Sequence, residues 1–146
     1  EPLHYEGEIC HLMHCGEVAG VGFGLDLTKR ETQTRLKAAG LPWERSKAFI
    51  GSALFSEFVT APEDLSRLGV ELMVDDTLRQ KGDVSLMLYP PEVILKELRQ
   101  FLVLEDFDIV MTGTPAGVGA VQVGERFCGR VLHGEQELVS GVWLAQ

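Results

Sequence analysis

Apolar and polar residues alternate along much of this chain, which predicts that most of its regular structure is β-strand. In residues 3–12, the alternation puts His4, Glu6, Glu8 and Cys10 on one side of an extended strand. In residues 18–27, Asp26 shares its side with three glycines, and a side that carries so few side chains leaves room for a ligand.

Two segments have helical rather than strand spacing. Residues 28–39 are predicted as a helix with Thr28 as a candidate N-cap, and Gly40 ends it. A second helix is predicted to begin at Pro91, with an apolar stripe at Ile94, Leu98, Phe101 and Leu102. The remaining predicted strands cover residues 70–74, 77–80, 108–112, 127–132 and 138–144, with hairpin turns at 75–76 and 133–136. The expected fold class is therefore mixed α/β and mainly β, in a single domain over residues 1–146.

Composition and charge narrow the classes of function. With 13 basic and 22 acidic residues, the chain has a formal charge of −9, so nucleic acid is not an expected partner. No apolar run approaches the ~20 residues that span a bilayer, and the first residues do not resemble a signal peptide. Three cysteines in 146 residues are too few for a disulfide scaffold and favour a reducing cytoplasm.

The residues with the clearest chemical potential are carboxylates. Glu6 and Glu8 are two positions apart, so in a strand they face the same side at roughly 7 Å spacing. With Asp26 they could bind a hard divalent ion such as Mg2+. The alternatives are a solvated strand face for the two glutamates and a helix cap for the aspartate.

Two further motifs give weaker signals. The glycine-rich segment 111–119 could bind an anion through its backbone amides and threonine hydroxyls, but a tight turn is the commoner explanation. The segment Cys10-His11-Leu12-Met13-His14-Cys15 looks like a zinc cluster. Its ligands are too close in sequence for a structural zinc site, so buried or incidental residues are favoured.

Four blocks in order produce a resemblance to a known family. They are residues 4–8 (HYEGE), 25–33 (LDLTKRETQ), 40–49 (GLPWERSKAF) and 112–119 (TGTPAGVG), with LRQ at 78–80. In this combination the chain resembles the fumarylacetoacetate hydrolase family, in particular its small acylpyruvate hydrolase, oxaloacetate decarboxylase and isomerase branch. The resemblance implies a rolled mixed β-sheet with flanking helices, like the C-terminal domain of that family, and a homodimer.

The resemblance also assigns roles to individual residues. It implies Glu6, Glu8 and Asp26 as ligands of Mg2+ or Mn2+, Lys47 as a catalytic residue, and Thr114, Gln33 and Arg30 as substrate-binding residues. In the family a 2-keto acid substrate chelates the metal, and the enolate formed at that site is stabilised by the ion as a Lewis acid.

The implied reaction is hydrolysis of a carbon-carbon bond in an acylpyruvate-like 2,4-dioxo acid, as in aromatic catabolism. Decarboxylation of oxaloacetate or isomerisation of 2-hydroxyhepta-2,4-diene-1,7-dioate could use the same site, so both stay open. A catalytically silent metal-binding module is an alternative of another class.

The family pattern includes a segment that this sequence does not contain. Members of the family carry a histidine and a glutamate on a helical lid upstream of the metal-binding strand, whereas only three residues precede the motif here. None of the four histidines matches that position, so the general base has no candidate. We expect the lid, and internal loops between Glu8 and Asp26, to be absent from this sequence.

Overall fold

A computed structural model describes all 146 residues of the chain. Its strands are β1 (Leu3–Tyr5), β2 (Gly7–His14), β3 (Glu17–Asp26), β4 (Thr28–Lys29), β5 (Ala53–Phe55), β6 (Val59–Thr60), β7 (Leu68–Val74), β8 (Thr77–Asp83), β9 (Ile109–Met111), β10 (Gly119–Ala120), β11 (Arg126–His133) and β12 (Gln136–Leu144). The α-helices are α1 (Arg30–Ala38) and α2 (Pro91–Leu98), and short 3-10 turns cover Glu44–Ser46, Leu65–Arg67 and Val84–Leu86.

The strands form three sheets. The orders are β5-β3-β2-β9 with β6 also paired to β3, β12-β11-β7-β8, and β10-β1-β4. The predicted class, mainly β with two helices, is confirmed. Every pairing is antiparallel, however, so the mixed strand directions expected from the resemblance are not seen.

The larger two sheets pack face to face because each has one apolar face. In β7, Leu68, Val70, Leu72 and Val74 alternate with more polar residues and are buried. They join Ile9, Val21, Phe23 and Leu25 from the opposite sheet in one hydrophobic core. Apolar burial on both inner faces, at about 25 cal/mol per Å², is the main stabilising contribution to this arrangement.

The hairpin of β2 and β3 brings the two carboxylate-bearing segments together. Glu8 pairs with Gly24 across the two strands, and Gly7 pairs with Leu25. One step further, the backbone N–H of Asp26 donates to the carbonyl of Glu6 at 2.9 Å. This register puts Glu6, Glu8 and Asp26 on neighbouring positions of one face, as residues of the same parity in paired strands must be.

Several local predictions are wrong. Helix α1 begins at Arg30, and Thr28 lies in β4 instead of capping it. Helix α2 ends at Leu98, so the predicted stripe stops there and Phe101 is exposed. The glycine side of β3 leaves no room for a ligand, because a Cβ on Gly24 would lie 2.5 Å from Cys10 Sγ.

The predicted hairpins are confirmed, with β7 and β8 turning at Asp75 and Asp76 and β11 and β12 at residues 134–135. Neither α-helix combines the length and apolar character that a membrane span requires. At nine and eight residues, α1 and α2 both fall short of the ~20 needed.

Candidate active site

Three carboxylates converge at the open end of the β2–β3 hairpin. The ligand oxygens of Glu6, Glu8 and Asp26 all lie within 4.8 Å of one another. Glu6 lies at the break between β1 and β2, which belong to different sheets, and Asp26 is the last residue of β3. The sequence prediction that these side chains face one point is therefore correct in its geometry.

Two carboxylates of this cluster are buried and Asp26 is partly buried, which makes their negative charges unfavourable without a partner. Glu6 is 8% exposed and Glu8 is 4% exposed. Burial raises the pKa of Glu8 to about 7, with a smaller contribution from the charges of Asp26 and Glu6, while a hydrogen bond from Gly113 opposes the shift. Burial likewise raises the pKa of Asp26. Desolvated like charges of this kind are stabilised by a cation.

Lys47 provides one cation. Its Nζ donates to Glu6 Oε2 at 2.7 Å, to Asp26 Oδ2 at 2.6 Å and to Thr28 Oγ1 at 2.7 Å. Burial lowers the pKa of Lys47, but the bonds to Asp26 and Glu6 outweigh it and the net direction is upward. The lysine follows the 3-10 turn Glu44–Ser46, which directs its side chain toward the carboxylates.

Arg30, the first residue of α1, provides the second cation. Its Nη2 donates to Glu6 Oε1, and its Nη1 donates to Gln33 Oε1 at 2.7 Å. Burial would raise the pKa of Glu6, but the bonds from Lys47 and Arg30 hold it below its usual value. Gln33 is the one buried residue of α1, and its spacing from Arg30 puts both on the face toward the carboxylates.

The glycine-rich loop at residues 112–118 borders the other side of the cluster. The backbone N–H of Gly113 donates to Glu8 Oε2 at 2.7 Å. Thr114 Oγ1 donates to the carbonyl of Gly7 at 3.0 Å. Gly117 has φ +105°, and a Cβ there would lie 2.0 Å from the carbonyl of Arg79, so this close approach requires glycine. Hydrogen bonds to Gly7 and Glu8 thus attach the loop to β2, so it is more than a surface turn.

The donor set fits a hard divalent cation. Three carboxylates supply oxygen ligands only, as Mg2+ and Mn2+ prefer, and these oxygens are close enough to one another to share one ion. The raised pKa of Glu8 reflects above all the cost of burying its charge, and a bound cation would offset that cost. Glu6, Glu8 and Asp26 are the residues that would hold the ion.

The zinc-like segment does not form one site. Cys10 and His11 are neighbours on β2, both buried, and both ring nitrogens of His11 lack a hydrogen-bond partner. His14 and Cys15 lie at the exposed hairpin turn, where His14 Nδ1 is 3.0 Å from Asp106 Oδ2. Cys10 and His11 are buried within β2, whereas the ligand atoms of His14 and Cys15 lie at its exposed end, within 4.8 Å of one another and of a carboxylate oxygen of Asp106. The four residues therefore do not share one zinc site.

An apolar groove of about 290 Å³ lies beside the glycine-rich loop. Ile9, Met87, Leu88 and Ile94 contribute apolar walls, and the loop contributes residues 112–115. The groove and the carboxylate cluster therefore share the loop as a common border.

Sequence reasoning missed three contributors to the site. Thr28 binds Lys47, the amide of Gly113 binds Glu8, and Gln80 joins β8 to the glycine-rich loop. For Gln80 the only signal in the sequence is its place in the stretch LRQ at 78–80, which assigns it no role by itself. For the other two, the contact depends on the tertiary fold.

Comparison with known proteins agrees with this description. A family profile for the C-terminal domain of fumarylacetoacetate hydrolase matches residues 16–140, which include Asp26, Lys47 and Thr114 but not the two glutamates. The chain is 37% identical over 131 residues to the mitochondrial oxaloacetate tautomerase FMP41 of Saccharomyces cerevisiae, with 84% of this chain and 50% of the relative covered.

Two further relatives are similar. The oxaloacetate tautomerase YcgM of Escherichia coli is 39% identical over 111 residues, which is 74% of this chain and 51% of the relative. A crystal structure of fumarylpyruvate hydrolase from Pseudomonas aeruginosa with Mn2+ and pyruvate superposes with a TM-score of 0.84 at 33% identity, covering 99% of this chain and 67% of that one. The chain spans about half the length of the curated relatives it matches.

The matched profile covers most of the chain, and the superposition includes the strand that carries Glu6 and Glu8. The chain therefore belongs to the fumarylacetoacetate hydrolase family.

Proposed function

We propose that this chain is the catalytic domain of a divalent-metal-dependent enzyme that cleaves a carbon-carbon bond in acylpyruvate-like 2,4-dioxo acids. The observation that carries the proposal is the group of three buried or partly buried carboxylates, two of them paired with Lys47 or Arg30, beside the glycine-rich loop. A similar protein of known structure contains Mn2+ and pyruvate, which supports a divalent ion and a 2-oxo acid as ligands of this chain.

Each residue has a distinct part in this proposal. Glu6, Glu8 and Asp26 hold the ion, Mg2+ or Mn2+, which when bound supplies a Lewis acid for the negative charge of an enolate. Lys47 supplies an ammonium group beside that charge, and Arg30 fixes Glu6 and Gln33 in one orientation. Gln33 offers its amide nitrogen to the substrate, because its oxygen is bound to Arg30.

Thr114 has two groups that could contact the substrate, its hydroxyl and its backbone N–H. The Thr114 hydroxyl has one proton, and it donates that proton to Gly7. The backbone N–H of Thr114, which donates to no protein acceptor, is then the group that binds the substrate carboxylate.

In the proposed hydrolysis, the oxygen of water adds to the distal acyl carbon. The bond from that carbon to the pyruvyl methylene breaks, and its electron pair goes to the pyruvate enolate. Protonation of the enolate carbon then gives pyruvate and a carboxylic acid. The Lys47 ammonium stabilises the enolate oxygen electrostatically, as preorganised donors do at developing anions.

Oxaloacetate chemistry is the second candidate, and the comparisons favour it specifically. Both curated relatives described above are named oxaloacetate tautomerases. Interconversion of the keto and enol forms, or loss of CO2, passes through the same kind of enolate and needs no activated water. This candidate includes decarboxylation of oxaloacetate. Isomerisation of a hydroxydienedioate would also need a site that stabilises an enolate.

A substrate panel tests the proposal. Acetylpyruvate, fumarylpyruvate and oxaloacetate are assayed with Mg2+, with Mn2+ and with EDTA, in the unsubstituted chain and in Glu8→Gln. We expect EDTA to abolish activity and Glu8→Gln to lower it at least about 100-fold, since even outer-shell changes at metal sites cost 10–100-fold. The control is Asp106→Asn, an exposed carboxylate between α2 and β9 that contacts the β2–β3 hairpin turn, which should leave activity unchanged.

The outcomes separate the candidates. Pyruvate released from an acylpyruvate supports the hydrolase, whereas turnover of oxaloacetate alone supports the second candidate. Mn2+ binding without turnover of any substrate would identify a silent metal-binding module. Activity that persists in EDTA and in Glu8→Gln contradicts a metal-dependent mechanism altogether.

A further inference from the structure

Gln80 is a buried polar residue that lies outside the group of site residues predicted from the sequence. It belongs to β8, in the four-stranded sheet, and is 1% exposed. A buried side-chain amide is destabilising unless its oxygen and nitrogen are both hydrogen-bonded. Here both are: the oxygen accepts one hydrogen bond and the nitrogen donates two.

The partners of Gln80 belong to the two halves of the candidate active site. Its Oε1 accepts from the N–H of Gly7 at 2.8 Å. Its Nε2 donates to Thr114 Oγ1 at 2.8 Å and to the carbonyl of Pro115 at 2.8 Å. Thr114 Oγ1 in turn donates to the carbonyl of Gly7 at 3.0 Å, which closes a ring of hydrogen bonds.

The ring determines one orientation of the amide. If the amide were reversed, its nitrogen would face the Gly7 N–H and its oxygen would face the Pro115 carbonyl, with donor against donor and acceptor against acceptor. Gln80 therefore holds Gly7 and the glycine-rich loop at one separation. Gly7 lies between Glu6 and Glu8, and the neighbouring Gly113 binds Glu8 directly.

We propose that Gln80 is a positioning residue, whose side chain sets the distance between the carboxylate cluster and the substrate-binding loop. The inference rests on the proposed function, because a 2-oxo acid that bridges the ion and the loop requires a defined separation of the two. Gln80 contacts neither the ion nor the substrate. It acts through Gly7 on the carboxylates and through Thr114 and Pro115 on the loop.

The first test measures binding, without turnover. Gln80→Leu removes the ring, and Val131→Ala, a buried substitution in β11 that touches none of these groups, is a control for loss of stability. Mn2+ affinity is measured by the electron paramagnetic resonance of free Mn2+, and the affinity of the Mn2+-loaded protein for oxalate, a 2-oxo acid mimic, by calorimetry. We expect Gln80→Leu to weaken oxalate binding at least about tenfold and Mn2+ binding less than about threefold, because the loop moves relative to carboxylates that stay in their strands.

The second test uses the metal-free protein, so it decides the inference even if the proposed function fails. Hydrogen exchange of the Gly7 and Gly113 amides is followed by NMR. In Gln80→Leu, we expect both amides to exchange at least about tenfold faster, while amides in the centre of β3 keep their rates. In Val131→Ala, all protected amides should change together.

Equal oxalate affinities in Gln80→Leu and Val131→Ala, or unchanged exchange at Gly113, would overturn the positioning role. An unsubstituted chain that does not bind Mn2+ contradicts the proposed function instead, and the exchange measurement still tests Gln80. Should Gln80→Leu not fold, Gln80→Glu replaces it: that side chain keeps an acceptor for Gly7 and loses both donors to the loop. For Gln80→Glu we expect the same tenfold changes in oxalate binding and in Gly113 exchange, while the Gly7 amide keeps its acceptor and its exchange rate.

Discussion

Glu8 and His11 lie three positions apart on the same buried strand, yet burial has opposite consequences for them. Burial raises the pKa of Glu8 to about 7, and it lowers the pKa of His11 to about 4. In both cases the low-dielectric surroundings disfavour the charged form. Glu8 has the ammonium group of Lys47 nearby and belongs to a group that suits a metal ion, whereas His11 is neutral and has no hydrogen-bond partner at either nitrogen.

The buried imidazole predicts acid sensitivity of the fold. Because the folded-state pKa of His11, about 4, is below the ordinary 6.5, the unfolded chain binds the proton more tightly, and stability falls as the pH drops below 6.5. The interval down to pH 4 corresponds to a loss on the order of 3 kcal/mol. Between pH 7 and pH 4.5, the free energy of unfolding of the unsubstituted chain should decrease. In His11→Leu this decrease should be smaller, by on the order of 3 kcal/mol.

Urea unfolding followed by circular dichroism at the two pH values measures this difference. His14→Gln is the matched control, since His14 is exposed at the hairpin turn. Identical losses in the unsubstituted chain and in His11→Leu would mean that His11 is not the group responsible.

At the scale of elements, Gln80 lies in the β7–β8 hairpin, and a substitution in the turn of this hairpin should stabilise the fold. Asp75 and Asp76 both have left-handed backbone angles, with φ of 48° and 60°. Glycine adopts this conformation without the steric cost that a Cβ imposes. We expect Asp76→Gly to stabilise the chain by about 0.5–1 kcal/mol, offset slightly by loss of the exposed contact with Arg126.

The matched control for this prediction is Asp75→Gly. Asp75 Oδ1 accepts a hydrogen bond from the backbone N–H of Arg126 at 2.9 Å, so its removal offsets the gain in backbone freedom. Thermal unfolding of the two variants should therefore give a higher midpoint for Asp76→Gly than for Asp75→Gly. A higher midpoint for Asp75→Gly would contradict the view that the Asp75 side chain stabilises the turn more than the Asp76 side chain does.

The elements also show where alternation along the sequence is a sufficient guide. In β7 and β11, apolar residues at every second position face one shared core, and both strands lie close to their predicted bounds. Helix α2 ends at Leu98 and residues 99–101 form a turn, which leaves Phe101 and Leu102 exposed although their spacing suits a helix. Apolar spacing alone does not reveal the residue at which a helix ends.

At the scale of the whole molecule, the predicted homodimer has a plausible surface. Leu86, Leu88 and Tyr89 are exposed together at the edge of the apolar groove, and a contiguous apolar patch on a folded domain often marks an interface. We expect light scattering after size exclusion to give twice the chain mass of 16.1 kDa. Leu88→Glu should shift the mass toward the monomer, because it buries a charge in that interface.

Ile50→Glu provides the comparison, since Ile50 is fully exposed in the segment between α1 and β5. It should leave the mass unchanged. A monomer at all concentrations for the unsubstituted chain would contradict the dimer. The expected cytoplasmic location is likewise a prediction, and one of the relatives is a mitochondrial protein.

The sequence by itself determined which residues supply the chemistry of the site. Glu6 and Glu8 must share a face because residues two apart in a strand always do, and four ordered motifs identified the family. What the tertiary structure decided is everything that depends on which chain segments meet. The register of β2 with β3 brings Asp26 to the glutamates. Burial raises the pKa values of Glu8 and Asp26 by disfavouring their charged forms.

Gln80 illustrates the same division. As a residue in the motif LRQ it has no evident role, and its neighbours in sequence do not suggest one. Only the packing of the four-stranded sheet against the five-stranded sheet brings its amide between Gly7 and Thr114. Local pattern fixes the direction of a side chain, but hydrogen bonds between residues distant in sequence form only when the whole chain has folded around them.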